Sequence, residues 1–171
     1  MTKDSYPVWL PALSILLSLA IYTVGAILFS FFGLTVVLLY LFFCLLTEYR
    51  VMEMSCRHCC YYGKLCGVGK GILAPLFFKQ GAPQIFLNKK IGWQELLPDS
   101  FVLLLPVIGG MISLFLRFNF LTLGLIVLII ILALPGAGLM RTCLLCPNCR
   151  QRELGCPAEK WFGKKEKSSH R

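Results

Sequence analysis

Eight of the nine cysteines in this 171-residue chain fall in two short stretches, Cys56-Arg-His-Cys-Cys-Tyr-Tyr-Gly-Lys-Leu-Cys66 and Cys143-Leu-Leu-Cys-Pro-Asn-Cys-Arg-Gln-Arg-Glu-Leu-Gly-Cys156. Two cysteines separated by two residues turn both sulfurs toward one ion, and two such pairs supply the four ligands of a tetrahedral zinc site. Cys56, Cys59 and Cys66 form a C-x2-C-x6-C pattern, and Cys146, Cys149 and Cys156 repeat it 90 residues later. Lys70 and Lys160 each stand four residues beyond the last cysteine. A competing register pairs Cys56 and Cys59 with Cys143 and Cys146.

The simplest metal set is Cys56, Cys59, Cys146 and Cys149, which would clamp the two stretches together. Cys66 and Cys156 are further ligands, by substitution or in a second site with Cys60 or Cys143. His58 lies inside the first C-x2-C and is a candidate additional ligand, although a surface histidine at that place more often points away. Zinc is the expected ion. The alternative is a [4Fe–4S] cluster, because the run Cys143, Cys146, Cys149 resembles the cysteine run of bacterial ferredoxins, with Cys156-Pro157 as a remote fourth ligand. The wider gap before Cys156 departs from that pattern, and no ferredoxin-like body surrounds it. Dithiol redox chemistry would need a thioredoxin-like setting that the sequence lacks. Membrane-proximal cysteines are also acceptors for palmitoylation.

The elements that must position these thiols are membrane spans. Hydrophobic residues make up 57% of the chain and charged residues 15%, against about 45–50% and about 25% in soluble domains. Residues 7–47 carry no charge, and residues 100–140 carry only Arg117. Each block of 41 can cross a bilayer twice, since one crossing takes about 20 apolar residues. The first block is too long for a signal-peptide core. The expected fold is an all-α integral membrane protein of four transmembrane helices, roughly 8–29, 33–48, 100–116 and 120–140. They form two hairpins, a parallel internal repeat, under a cysteine-rich metal-binding cap. The chain then divides into hairpin 1 (1–50), a Cys-, Gly- and aromatic-rich loop (51–99), hairpin 2 (100–140) and a basic Cys-rich tail (141–171).

Charge sets the expected orientation. In that layout Arg117 alone lies on one face, and the other 16 of the 17 Lys and Arg residues share the opposite face. By the positive-inside rule both termini and the cysteine stretches are cytoplasmic, in a cell or plasma membrane. A reducing cytosol disfavours disulfides and favours metal chemistry. The net charge of +9 is then accounted for by orientation and by anionic headgroups, so the expected partners are the bilayer and other membrane subunits. No specific nucleic-acid partner is expected. Little chain protrudes on the far face, which disfavours a receptor. No ionisable residue is expected at mid-membrane depth, which disfavours coupled ion transport.

The remaining features are expected to be structural. Pro106-Val-Ile-Gly-Gly110 and Pro135-Gly-Ala-Gly138 read as helix-packing or kink sites, and Cys44, Asn119 and the helical Ser and Thr residues as packing groups. The glycines of Tyr61–Gly71 permit a tight turn or close approach to an anion, but the loop lacks the G-x4-G-K-[ST] of a phosphate-binding loop. Ile72–Phe78, Ile85–Leu87 and Trp93, interleaved with Lys79, Lys89 and Lys90, read as an interfacial segment. Glu48 and Glu53 read as solvated carboxylates at a helix end, so no catalytic constellation emerges. The expected function is an accessory, scaffold or metal-binding subunit. The alternatives are an iron–sulfur or thiol-redox subunit and a lipid-acting enzyme.

Overall fold

The computed structural model describes residues 6–87, 93–116 and 118–150, and those residues are helical with no strand. In order they form α1 (Trp9–Ser30), α2 (Leu34–Met54), α3 (Lys70–Phe77), α4 (Pro83–Leu87), α5 (Trp93–Leu116) and α6 (Phe120–Ile131). Two π-helical segments, Leu132–Ala137 and Met140–Leu145, prolong α6. Four helical stretches are long and apolar enough to cross a membrane: Trp9–Ser30, Leu34–His58, Leu97–Leu116 and Phe120–Leu145. Their runs of Leu, Ile, Val and Phe leave the backbone no water to bond in hydrocarbon, and a helix satisfies every peptide group internally. Only 17–22% of each span is buried inside the protein. The apolar surface therefore faces outward, as it must where the solvent is lipid.

α1 is the central helix and packs on α2, α5 and α6. Val24 and Leu28 of α1 meet Ile126 and Ile129 of α6 in one buried cluster. Tyr40 and Cys44 of α2 meet Val102 of α5 in another, and the Tyr40 hydroxyl donates to the Val102 carbonyl at 3.1 Å. Gly109 and Gly110 act as the expected packing positions. A Cβ on Gly110 would stand 2.9 Å from Ile126, and one on Gly109 would stand 2.9 Å from the Phe29 ring. Pro135 falls inside the first π-helical segment, where the widened turn accommodates its missing N–H.

Several expected boundaries shift. α2 runs to Met54 rather than 48, α5 starts at Trp93 rather than 100, and the last helix continues through Leu145 rather than 140. In each case the expected boundary is the edge of the apolar block. Charged residues leave the hydrocarbon there, but nothing in their chemistry ends a helix. Asn119 is a cap rather than a packing group: its Oδ1 accepts from the Leu121 N–H at 3.0 Å and starts α6, satisfying a donor that no helical carbonyl reaches. Thr47, Ser18 and Thr23 donate to carbonyls of their own helix four residues back.

Candidate functional site: a thiol cap and an ionic cluster

Beyond α2 the chain makes a 3₁₀ turn, Cys56–His58, in which the Cys59 N–H donates to the Cys56 carbonyl at 3.3 Å. The second C-x2-C closes in the same way, with the Cys149 N–H donating to the Cys146 carbonyl at 3.3 Å. Cys143 lies instead on the π-helical turn Met140–Leu145, where the Cys146 N–H reaches back to Arg141 at 2.8 Å. Cys56–Cys59 and Cys146–Cys149 thus share one local backbone turn, and Cys143–Cys146 does not.

Backbone bonds tie the first thiol segment down further. Tyr62 N–H donates to Cys59, Lys64 to Tyr61, and Gly69 to Cys66, at 3.1, 3.0 and 2.9 Å. The Gly71 N–H donates to the Cys66 sulfur at 3.3 Å, while the Gly71 carbonyl accepts from Gly63 at 2.9 Å. Gly71 is required by crowding: a Cβ there would stand 2.5 Å from the Tyr61 carbonyl oxygen and 2.6 Å from that of Lys64.

The two segments meet around Tyr6, Leu10, Tyr61, Met140 and Leu145, which form one buried cluster bordered by Cys59, Cys60, Cys66 and Cys149. Three bonds stitch it. Tyr6 N–H donates to the Leu65 carbonyl at 3.1 Å, the Tyr6 hydroxyl donates to the Leu145 carbonyl at 2.8 Å, and Arg150 N–H donates to the Tyr61 hydroxyl at 3.1 Å. The tyrosine rings lie 5.7 Å apart and tilted. Burial, reinforced by the nearby Cys149, pushes the Tyr6 phenol far above its ordinary range. Burial also raises Tyr61, opposed by its bond from Arg150. Within the vicinal pair, Cys59 is held protonated by its bond to Cys60 and by burial, and the same bond lowers Cys60.

Among the described residues no three His, Cys, Asp or Glu side chains are close enough together to hold a metal ion. Cys146 and Cys143 are exposed, Cys56 is half-buried, and Cys156 lies outside the described residues. His58 points at the α3–α4 linker, its Nδ1 3.2 Å from the Ala82 carbonyl oxygen and its ring against Gly81.

A second polar site was missed. Glu48 is not a solvated helix-end carboxylate: its Oε1 accepts from the Tyr22 hydroxyl and its Oε2 pairs with the Lys70 ammonium. The Lys70 and Glu48 side chains are 20% and 23% exposed. Asp99 lies within electrostatic reach of Glu48, Lys70 and Arg141. Tyr22, Glu48, Lys70, Asp99 and Arg141 come from α1, α2, α3, α5 and the π-helical end of the last span, one from each. Glu48 stands fourteen residues beyond the start of α2, or about 21 Å at 1.5 Å per residue. It is the first charged residue after the uncharged block 7–47 and lies six residues before the end of α2. Glu48 is 26 residues from Tyr22 and 22 from Lys70, so no local spacing announces the cluster.

In α3 and α4, Ile72, Leu73, Leu76, Phe77 and Ile85 are exposed while Gly71 and Ala74 are buried. No protein-family model, curated protein or solved structure matches the chain.

Proposed function

We propose that the chain is a small polytopic membrane metalloprotein whose two C-x2-C-x6-C segments jointly bind a structural metal, zinc in the first instance. It acts as an accessory, scaffold or metal-binding subunit, with its thiols and both termini in the cytoplasm and its two helix pairs related as a repeat. The observation that carries this reading is the gathering of Cys59, Cys60 and Cys66 with Cys149, more than 80 residues away, around one Tyr6–Tyr61 cluster. The equal turns at Cys56–Cys59 and Cys146–Cys149 support the pairing of the segments. Zinc would be held by Cys56, Cys59, Cys146 and Cys149, with Cys66 or Cys156 as exchanging ligands. It would add a link between elements already joined by the buried cluster and a few hydrogen bonds. Ligation requires the sulfurs to close in from their present separation, so metal binding and tightening of the cap are one event.

The test is elemental analysis of the anaerobically purified full chain. The expected result is colourless protein with about one zinc per chain, lost in Cys59→Ser and in Cys149→Ser alike. A brown protein absorbing near 400 nm would transfer the site to iron–sulfur chemistry. Zinc retained by both variants would refute the shared site.

A second reading, a lipid-acting enzyme, rests on the Tyr22–Glu48–Lys70 cluster with Asp99 and Arg141 beside it. Carboxylates with a neighbouring tyrosine and cations, at the membrane boundary, are groups suited to acid–base work on a headgroup. If turnover of bilayer phospholipid by the reconstituted chain is unchanged in Glu48→Gln, this reading fails.

A further inference from the structure

A groove opens between α2 and α5 near the end of the bundle that carries the thiol loop. Its walls are Phe43, Leu46, Thr47 and Arg50 of α2 with Leu97, Pro98 and Phe101 of α5. The groove encloses about 470 Å³, within the range of about 300–1,000 Å³ found for small-molecule sites. It faces outward: Leu46 is 50% exposed, Leu97 45% and Phe101 41%. Such walls, on membrane-spanning helices, face acyl chains. Arg50 is exposed, and among the described residues no carboxylate lies within ion-pair distance of it. It sits four residues before the end of α2, about 6 Å along the axis, and three residues past the uncharged block 7–47, where an apolar run gives way to charge.

We propose that this groove binds one anionic phospholipid, with an acyl chain along Leu46 and Phe101 and its phosphate on Arg50. The guanidinium fork suits a phosphate, which accepts two parallel N–H bonds. Charge complementarity selects this occupant. A neutral protein helix laid in the groove would leave the arginine unpaired, whereas a bilayer supplies phosphate where its apolar interior gives way to charge. The site is independent of the thiol cap and needs no metal.

The full chain, reconstituted in phosphatidylcholine vesicles, is titrated with spin-labelled phosphatidylglycerol or spin-labelled phosphatidylcholine, and motionally restricted lipid is read by electron paramagnetic resonance. The wild-type chain is expected to restrict about one lipid and to prefer phosphatidylglycerol roughly fivefold, as about 1 kcal/mol per surface cation implies. Arg50→Gln abolishes the preference, Arg50→Lys retains much of it, and Leu46→Trp fills the groove and removes the restricted lipid of both kinds. Lys64→Gln, a cation outside the groove, leaves the preference intact. A preference that survives in Arg50→Gln, or a restricted lipid that survives in Leu46→Trp, overturns the proposal. So does absence of restricted lipid from the wild-type chain, and if Leu46→Cys then cross-links between copies, the groove is a self-association face. Zinc content, measured on the same samples, separates this outcome from the fate of the metal reading.

Discussion

The two C-x2-C turns close with the same 3.3 Å bond, but their settings differ. The first belongs to a loop knitted by its own backbone, from Cys59 to Gly71, and fastened to the bundle through Lys70 and Glu48. The second follows the end of a long span and is tied to the tyrosines by the carbonyl of Leu145, the N–H of Arg150 and the packing of Met140, Leu145 and Cys149. One turn is held by its own loop and the other by tertiary bonds to tyrosines. The difference implies that the first segment holds its own shape while the second depends on its docking, so that perturbing each segment should have distinct consequences.

The largest effect should come from Gly71→Ala. The new Cβ meets two backbone carbonyl oxygens, at 2.5 and 2.6 Å, and backbone does not yield as a side-chain tip would. A cost of about 3 kcal/mol is expected, read by denaturant unfolding in mixed micelles. In the metal-free protein, thiol labelling should accelerate at Cys59, Cys60 and Cys66 and stay unchanged at the exposed Cys146. Equal acceleration in both segments would show that the halves do not differ.

Glu48→Gln comes next. It preserves the shape of the side chain but leaves Lys70, only 20% exposed, without its counter-charge. Removing one partner of a largely buried pair is costly because the other charge stays behind. Partial exposure reduces that cost here to about 2 kcal/mol. Adding Lys70→Met should return part of the loss, because no charge is then left uncompensated. If Lys70→Met alone is as stable as the wild type, the pair is not what fastens the first loop to α2.

How much of this could be read in advance follows from the range of the interactions. Spans, turns and the C-x2-C pairs are local: apolar runs, charge edges and a two-residue spacing lie within one stretch of chain. The helices run past the charge edges at Glu48, Ser100 and Arg141 because hydropathy marks the edge of hydrocarbon, whereas helices end where hydrogen bonding ends. Asn119 was legible in principle, as a cap residue directly before an apolar run, but its place in a membrane block drew attention to packing. The Glu48 cluster was beyond reach, since its five members lie on five elements and meet only when α1 is packed. The tyrosine cluster was hidden for the same reason: Tyr6 and Leu145 are 139 residues apart.

Tyr6→Phe is the smallest and most selective test of the contrast. The variant keeps the ring in contact with Tyr61 and Leu10 and removes only the hydroxyl that donates to the Leu145 carbonyl. The carbonyl loses this donor, a loss of about 1 kcal/mol. Because the Tyr6 N–H still holds Leu65, the first segment should be untouched. The second should open more often, and labelling of Cys149 in the metal-free chain should rise roughly fivefold, the factor that about 1 kcal/mol represents. Zinc, where bound, should suppress the difference, since a ligated Cys149 no longer depends on the tyrosine to hold it. Faster labelling of Cys66 and Cys149 together would mean that Tyr6 supports the cap as a unit, and the division into a self-held segment and a docked one would fail.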